Sequence, residues 1–250
     1  MTELLNCAMD IGEQLLVCGA EIHRVEDSVK RICEAFGAVR TDVFIITSSM
    51  VVTVHDSNAN TCTQTRRIIS TGTDFEKIHR LNALSRKICS EQMTVSQIQT
   101  ELARIAAVKP HPLWAECLFY AIISGAFTLF FGGGFIEAAV ALVIGGLIRF
   151  AMWVADKTVG NRIFSKFLAS FAATALAFAA LKLGWVPTVD NMMIGIIMTL
   201  IPGIGLTNAL RDLFTGDSIA GLLRSIEAVL IALAIAAGYF LFAALGGVVG

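Results

Sequence analysis

The residues best placed to do chemistry in this chain are ionisable side chains set in apolar sequence, and they gather in residues 200–230, which read LIPGIGLTNALRDLFTGDSIAGLLRSIEAVL. Pro202 removes an amide donor, Gly203 and Gly205 loosen the backbone, and Asn208, Arg211 and Asp212 follow at once. That order predicts a membrane helix broken or ended at this point. After the turn signal Gly216-Asp217-Ser218 a second apolar helix begins, and it carries Arg224 and Glu227 three residues apart on one face. Ionisable groups at such depth cost kilocalories unless they meet each other, water or a ligand. Pro202, Gly203, Asn208, Arg211, Asp212, Arg224 and Glu227 therefore form the candidate substrate-binding or coupling set. A guanidinium there would take a carboxylate, and a carboxylate would take an ammonium group or a proton, beside half-helix ends of the kind transporters use. The plainer alternatives are an ordinary surface pair for Arg211 with Asp212, snorkelling for Arg149 and simple hydration for Glu137.

A second polar cluster, Glu21, His23, Arg24, Glu26 and Asp27, stands at the head of a predicted helix. Acidic residues in a first helical turn suit the helix dipole, so most of this cluster calls for no functional explanation, and it reads as structural or as a gate on the cytosolic side. The competing reading is a hydrolytic or metal site built on His23 with Glu26 and Asp27. No HExxH, GxSxG, GxGxxG or Walker-type pattern accompanies it. No catalytic residue, metal site or cofactor is expected. The six cysteines show no CxxC or zinc spacing, five of them precede residue 110, and they read as free thiols of a reducing compartment.

Composition says which elements must position these residues. Of 250 residues, 56% are hydrophobic and the mean hydropathy is +0.72, beyond the range of ordinary soluble domains. Residues 1–109 hold 12 of the 19 Lys+Arg and 13 of the 20 Asp+Glu, so a soluble domain precedes a membrane domain at residues 110–250. A net charge of −1 gives no reason to expect nucleic acid. The first apolar stretch is interrupted by Glu3, Asp10 and Glu13 and has no basic segment before it, which argues against a signal peptide.

In the soluble domain, Leu4, Ala8, Ile11 and Leu15 share a helical stripe ending at Gly19, and Ile22, Val25, Val29, Ile32 and Phe36 share another ending at Gly37. Residues 42–47, 50–55 and 61–68 read as a small antiparallel sheet, with turn formers at 56–60. Thr73 with Glu76 and Thr94 with Gln97 predict capping boxes for two more helices. Lys109-Pro110-His111-Pro112 marks the boundary. Five apolar segments follow, near 113–131, 135–155, 163–183, 189–206 and 219–245, each close to the roughly 20 residues that cross a bilayer. Lys157, Arg162 and Lys166 flank one loop, which the positive-inside rule puts in the cytosol. The expected protein is thus an α-helical, multi-pass plasma-membrane protein with five transmembrane helices preceded by a small cytosolic α+β domain, its amino terminus inside and its carboxyl terminus outside. Trp114, Trp153 and Trp185 fall near span ends as interfacial anchors, and Gly145, Gly146 and Gly195 are expected at helix contacts.

Two blocks of this sequence resemble the threonine/serine exporter family. One is Gly19-Ala20-Glu21-Ile22-His23-Arg24-Val25-Glu26-Asp27 with Arg31-Ile32-Cys33 and Phe36-Gly37; the other is Leu200-Ile201-Pro202-Gly203 with Thr207-Asn208-Ala209-Leu210-Arg211-Asp212 and Gly216-Asp217. The resemblance covers nearly the whole chain and implies export of small hydrophilic metabolites: threonine and serine in the named members, dicarboxylates such as succinate in a two-component branch. Fused members carry a second, smaller membrane half, and this chain stops at Gly250 without it. The resemblance therefore implies the separate first half of a split exporter, whose partner is a small membrane protein. The expected function is a secondary-transporter subunit that works by alternating access at the broken fourth helix. The alternatives are a membrane-tethered enzyme using the His23 cluster and a non-transporting regulator of another membrane protein.

Overall fold

Amphipathic stripes, a hydroxyl- and valine-rich stretch and long apolar runs become ten helices and three strands in the computed structural model, which describes residues 2–91 and 93–245. The chain divides into two compact units: Met1–Lys109 with Gly205–Ser225, and Pro110–Ile204 with Ile226–Gly250.

In the first unit, α1 (Thr2–Val17) is the centre of the core rather than a one-striped surface helix. Leu5, Cys7, Ala8, Met9, Ile11, Leu15 and Leu16 are all buried, so apolar partners surround more of it than the stripe at Leu4, Ala8, Ile11 and Leu15 predicts. The helix α2 (Ile22–Ala35) buries Ile22, Val25, Val29 and Ile32 along one face and leaves its charged face outside. A Cβ on Gly12 would meet Val29 at 2.8 Å and the Met50 sulfur at 3.0 Å, so glycine lets α1 close on α2 and the sheet together.

The sheet is a meander of β1 (Arg40–Ile46), β2 (Ser49–His55) and β3 (Thr61–Arg67), antiparallel in the order β1-β2-β3. Its register puts Val43 opposite Val52 and Ile45 opposite Met50, and alternation buries Met50, Val52 and Val54 on one face. On the β3 edge, Arg66 reaches Asp10 of α1 at 3.0 Å. The helix α3 (Phe75–Ser90) is capped by Asp74, which accepts from the Lys77 amide at 3.0 Å. The expected cap at Thr73 is thus one residue early: the helix starts at Phe75, and the Asp74 carboxylate, among the strongest N-cap acceptors, takes the N3 amide. For α4 (Val95–Ala106) the predicted Thr94–Gln97 capping box is present in both directions.

The second unit holds α5 (Leu113–Phe130), α6 (Phe135–Val159), α7 (Arg162–Lys182), α8 (Asp190–Met198) and most of α10 (Ser218–Leu245). Small residues bring these helices together, as the sequence predicts for glycine in membrane spans. A Cβ on Gly195 would stand 2.6 Å from the Thr128 amide nitrogen, one on Gly145 2.7 Å from the Tyr120 carbonyl oxygen, and one on Gly238 2.4 Å from the Phe167 carbonyl oxygen. Ala169, Ala173, Ala177 and Ala180 line the buried side of α7, while Phe130, Phe135, Phe150, Leu233 and Phe240 are exposed. Small residues inside and large apolar ones outside suit hydrocarbon surroundings.

Among the described residues, four helices (α5, α6, α7 and α10) are long and apolar enough to cross a membrane. A fifth crossing exists only if α8 and α9 (Gly203–Thr215) count as one span, bent by 60° at the break between them. The predicted interruption is there: residues 199–202 lie outside both helices, and the boundary between the units falls just inside α9, between Ile204 and Gly205.

Candidate functional site

The site begins at a turn. Between α1 and α2 the chain reverses at Gly19, whose φ of +88° and crowding against the Gly72 carbonyl, 2.3 Å from where a Cβ would lie, admit no side chain. Ala20 donates its amide to Leu15 and Gly19 donates to Leu16, closing α1 in the manner of a glycine C-cap. The turn's remaining acceptors are taken by α9 and α10. Asn208 Nδ2 donates to the Gly19 carbonyl at 3.3 Å, Arg224 Nη2 donates to the Ala20 carbonyl at 3.2 Å, and Arg211 Nη1 is paired with Glu21 Oε1. Arg224 Nη1 also donates to Asp212 Oδ2 at 2.8 Å, so one guanidinium joins the turn to α9.

Local structure explains how these side chains come together. Asn208, Arg211 and Asp212 fall within one turn of α9. Gly216, at φ +99°, ends that helix, and the Asp217 amide returns to the Asp212 carbonyl at 2.9 Å. The first turns of α10 then press on α9 at Gly221, where a Cβ would stand 2.8 Å from the Leu213 nitrogen. That close approach delivers Arg224 to Asp212.

The carboxylates outnumber the guanidinium groups. Arg211 pairs with Glu21 and Arg224 with Asp212, Asp217 stands near both Asp212 and Glu26, and Glu26 accepts the Ile45 amide at 3.2 Å, tying α2 to β1. Burial, and after it the charge of Asp217, push the Glu26 carboxyl above its ordinary range; the Ile45 amide and His23 oppose the rise. Asp212 is 1% exposed; the Ile22 amide at the head of α2 lies against its carboxylate, while Asp212 Oδ1 and Asp217 Oδ2 make no well-formed hydrogen bond among the described residues. Two buried carboxylate oxygens are thus ready to accept from an ammonium group, a proton or water. A cavity of about 120 Å³ opens at the Gly19–Glu21 turn, lined by Gly19, Ala20, Glu21, Arg24, Asn82 and Asn208; Asp212 and Asp217 are not among its lining residues. Among the described residues no group of three His, Cys, Asp or Glu is placed to hold a metal ion.

The predicted residues do not all meet. Glu227 stands apart from Arg224 and lies 3.7 Å from Arg162 in the second unit, so the two charges that share a face of α10 have different partners. Pro202 and Gly203 lie at the break. His23 and Arg24 are exposed, and Asp27 pairs with Arg31 one turn along α2. Elsewhere in the second unit Arg149 pairs with Glu116 and lies over the Tyr120 ring rather than snorkelling alone. Glu137 is 5% exposed and does not reach water: it accepts from the Gly134 amide and from Thr188 Oγ1, both at 2.7 Å. The partners that sequence reasoning missed are the Gly19 and Ala20 carbonyls and Asp217, which had read only as a turn former. Backbone acceptors leave no mark on residue type.

Residues of the two blocks, among them Gly19 and Asn208, 189 positions apart, are thus bonded to one another in the first unit. A family model described as "Putative threonine/serine exporter" matches residues 6–246. The chain belongs to the threonine/serine exporter family. It is 25% identical over 243 residues to "Pheromone-regulated membrane protein 10" of Kluyveromyces lactis, covering 93% of this chain and 25% of that one. It is 20% identical to a "Probable threonine/serine exporter" of Mycobacterium tuberculosis, covering 94% and 45%. With "Probable succinate transporter subunit YjjP" of Klebsiella aerogenes the identity is 24%, and the match covers 98% of this chain and 93% of the relative. The chain thus spans a quarter to about half of the first two relatives and nearly all of the third. No solved structure matches it. The family and the relatives named for an activity are exporters and transporters rather than enzymes, and this member is a multi-pass membrane protein.

Proposed function

We propose that this chain is the larger subunit of a two-component secondary exporter for small hydrophilic metabolites carrying a carboxylate: threonine- or serine-type amino acids, or dicarboxylates such as succinate. The observation that carries the reading is the gathering of Asn208, Arg211 and Arg224 with the buried Asp212 on the Gly19–Glu21 turn. Arg211 and Arg224 would release their present partners to hold a substrate carboxylate, while Asp212 or Asp217 would take an ammonium group or a proton. Glu21, His23, Arg24, Glu26 and Asp27 would gate the site from the cytosolic side. The break at residues 199–202, ahead of this cluster in the chain, is the hinge of an alternating-access cycle. A match over 93% of a relative named as a subunit supports the two-component reading, and the second half would be a small membrane protein in the plasma membrane.

The test is counterflow of labelled threonine, serine and succinate into liposomes holding this chain with and without its partner. Saturable exchange of at least one of them, lost in Asp212→Asn while the variant still folds and inserts, supports the proposal. Exchange that survives Asp212→Asn together with Arg224→Gln overturns the site, and no exchange of any of the three with the partner present overturns the transport reading.

A further inference from the structure

Beyond the buried cluster, we propose that a groove between α2 and α3 is a second ligand site, one that binds a small soluble oxyanion bearing carboxylate or phosphate groups. The groove has a volume of about 320 Å³ and is lined by Arg24, Asp27, Ser28 and Arg31 of α2 and by Asn82, Ser85, Arg86, Cys89 and Ser90 of α3. That size is at the low end of the roughly 300–1,000 Å³ typical of small-molecule sites. Helical spacing produces the lining: Arg24 and Arg31 are seven residues apart, two turns and about 10 Å along one face, and Asn82, Arg86 and Cys89 repeat at four and three residues on the facing helix.

The two helices run side by side in the same sense. At one end, Phe75, Ile78 and Asn82 share a cavity with Gly19, Glu21 and Arg24; at the other, Cys89 feels the charges of Arg31 and Asp27. The groove thus has a cation at either end and Arg86 between them, with serine hydroxyls and the Asn82 amide as neutral donors. Asp27 is the single carboxylate in it and is engaged by Arg31 at 2.9 Å. Among the described residues Arg24 and Arg86 stand in no ion pair. Two unpaired guanidinium groups flanking a polar concavity recognise a planar oxyanion by paired N–H donation, which a single charge on an open face does not. Arg24 and Asn82 also line the cavity at the Gly19–Glu21 turn, so an anion bound here touches the residues beside Asn208. The site is suited to sensing a soluble anionic metabolite rather than passing it on.

The purified full-length chain in detergent, titrated calorimetrically with sodium succinate and separately with inorganic phosphate at constant ionic strength, tests this. Saturable binding of either is expected, weakened about tenfold or more in both Arg24→Gln and Arg86→Gln. Arg80→Gln, outside the groove on the same helix, serves as the surface-charge control and should bind as wild type does. Thermal midpoints of the variants show whether they fold. Succinate alone binding identifies a carboxylate ligand, and phosphate alone a phosphorylated one. Absence of saturable binding of both, binding unaltered in Arg86→Gln, or binding lost in Asp212→Asn but kept in Arg24→Gln and Arg86→Gln would overturn the proposal; the last outcome would place the ligand in the buried cluster.

Discussion

Asp212 and Arg224 are the pair on which the buried cluster turns. With Asp212 1% exposed and the Arg224 side chain 13% exposed, removing one partner strands a charge where water cannot repay it, and Arg224→Gln or Asp212→Asn should each cost about 3–5 kcal/mol. If the pair is only structural, the double variant should recover much of that loss, a coupling readable from denaturant midpoints of the purified protein in a double-mutant cycle. If Asp212 also accepts substrate or a proton, the double variant should fold yet carry no flux. Glu26 makes a separate prediction. Its carboxyl is raised by burial and by Asp217, so the folded chain holds a proton that the unfolded chain releases at lower pH. The stability this contributes is complete below the ordinary carboxylate range and is lost as pH rises through the raised value. Wild-type stability should therefore fall across that window, and Glu26→Gln should flatten the slope because it removes the titrating group, while its amide oxygen can still accept from Ile45. An unchanged slope in Glu26→Gln would show that another group carries the pH dependence. At this scale the sequence puts Arg224 and Glu227 on one face of α10, whereas the carboxylate that Arg224 meets in the structure is Asp212. Spacing along α10 reports which residues share a face, whereas Asp212 reaches Arg224 only because Gly216 folds α9 back and Gly221 lets α10 approach.

Elements are held here by glycines of two kinds, and substitution separates them. Gly37 is left-handed at φ +90° with open space around it, so Gly37→Ala should cost about 1 kcal/mol, the penalty of the conformation alone. Gly19 has a similar φ but a carbonyl oxygen 2.3 Å from the added Cβ, and its own carbonyl accepts from Asn208; Gly19→Ala should cost several-fold more and loosen α2. Gly195 is helical, so Gly195→Ala tests packing alone, with about 1–3 kcal/mol expected as α8 is pushed off α5. Unfolding midpoints of the three variants should rank Gly37 mildest and Gly19 worst; equal midpoints for Gly19→Ala and Gly37→Ala would mean that the crowding at the turn relaxes freely. Elements themselves were the most legible level. The strands, both amphipathic stripes and the Thr94–Gln97 cap can be read from periodicity and end signals, since each depends on residues within a few positions of one another. Asp74 taking the place of Thr73 as a cap, and α1 becoming a central helix, depend on distant chain. Nothing in residues 2–17 says that α2, α3, α4 and the sheet will all close on them.

At the scale of the whole molecule, the blocks around Gly19 and Asn208 were legible as a pair of motifs but not as neighbours, because 189 positions separate the bonded residues and nothing in residue type specifies a contact at that range. Membrane topology is the expectation here that is most open to direct measurement. The basic loop around Lys157, Arg162 and Lys166, together with an odd number of spans, puts residue 57 and the end of α10 on opposite sides of the membrane. Cys7, Cys18 and Cys33 are buried, and burial raises all three thiols, Cys33 to about 12, so they should stay silent to an impermeant maleimide without being replaced. Only Cys62, Cys89 and Cys117 need removal, which spares the core of the first unit a cysteine-free background. In that variant, Ser57→Cys should be labelled only after the membrane is opened, and Leu245→Cys should be labelled on intact cells. The span count decides between two outcomes. If α8 and α9 together cross, the sites differ as stated; if the 60° bend makes them a re-entrant hairpin, four crossings remain and both cysteines respond from one side. Same-side labelling would move the break from the middle of a span to the tip of a loop, and alternating access would then need a different hinge.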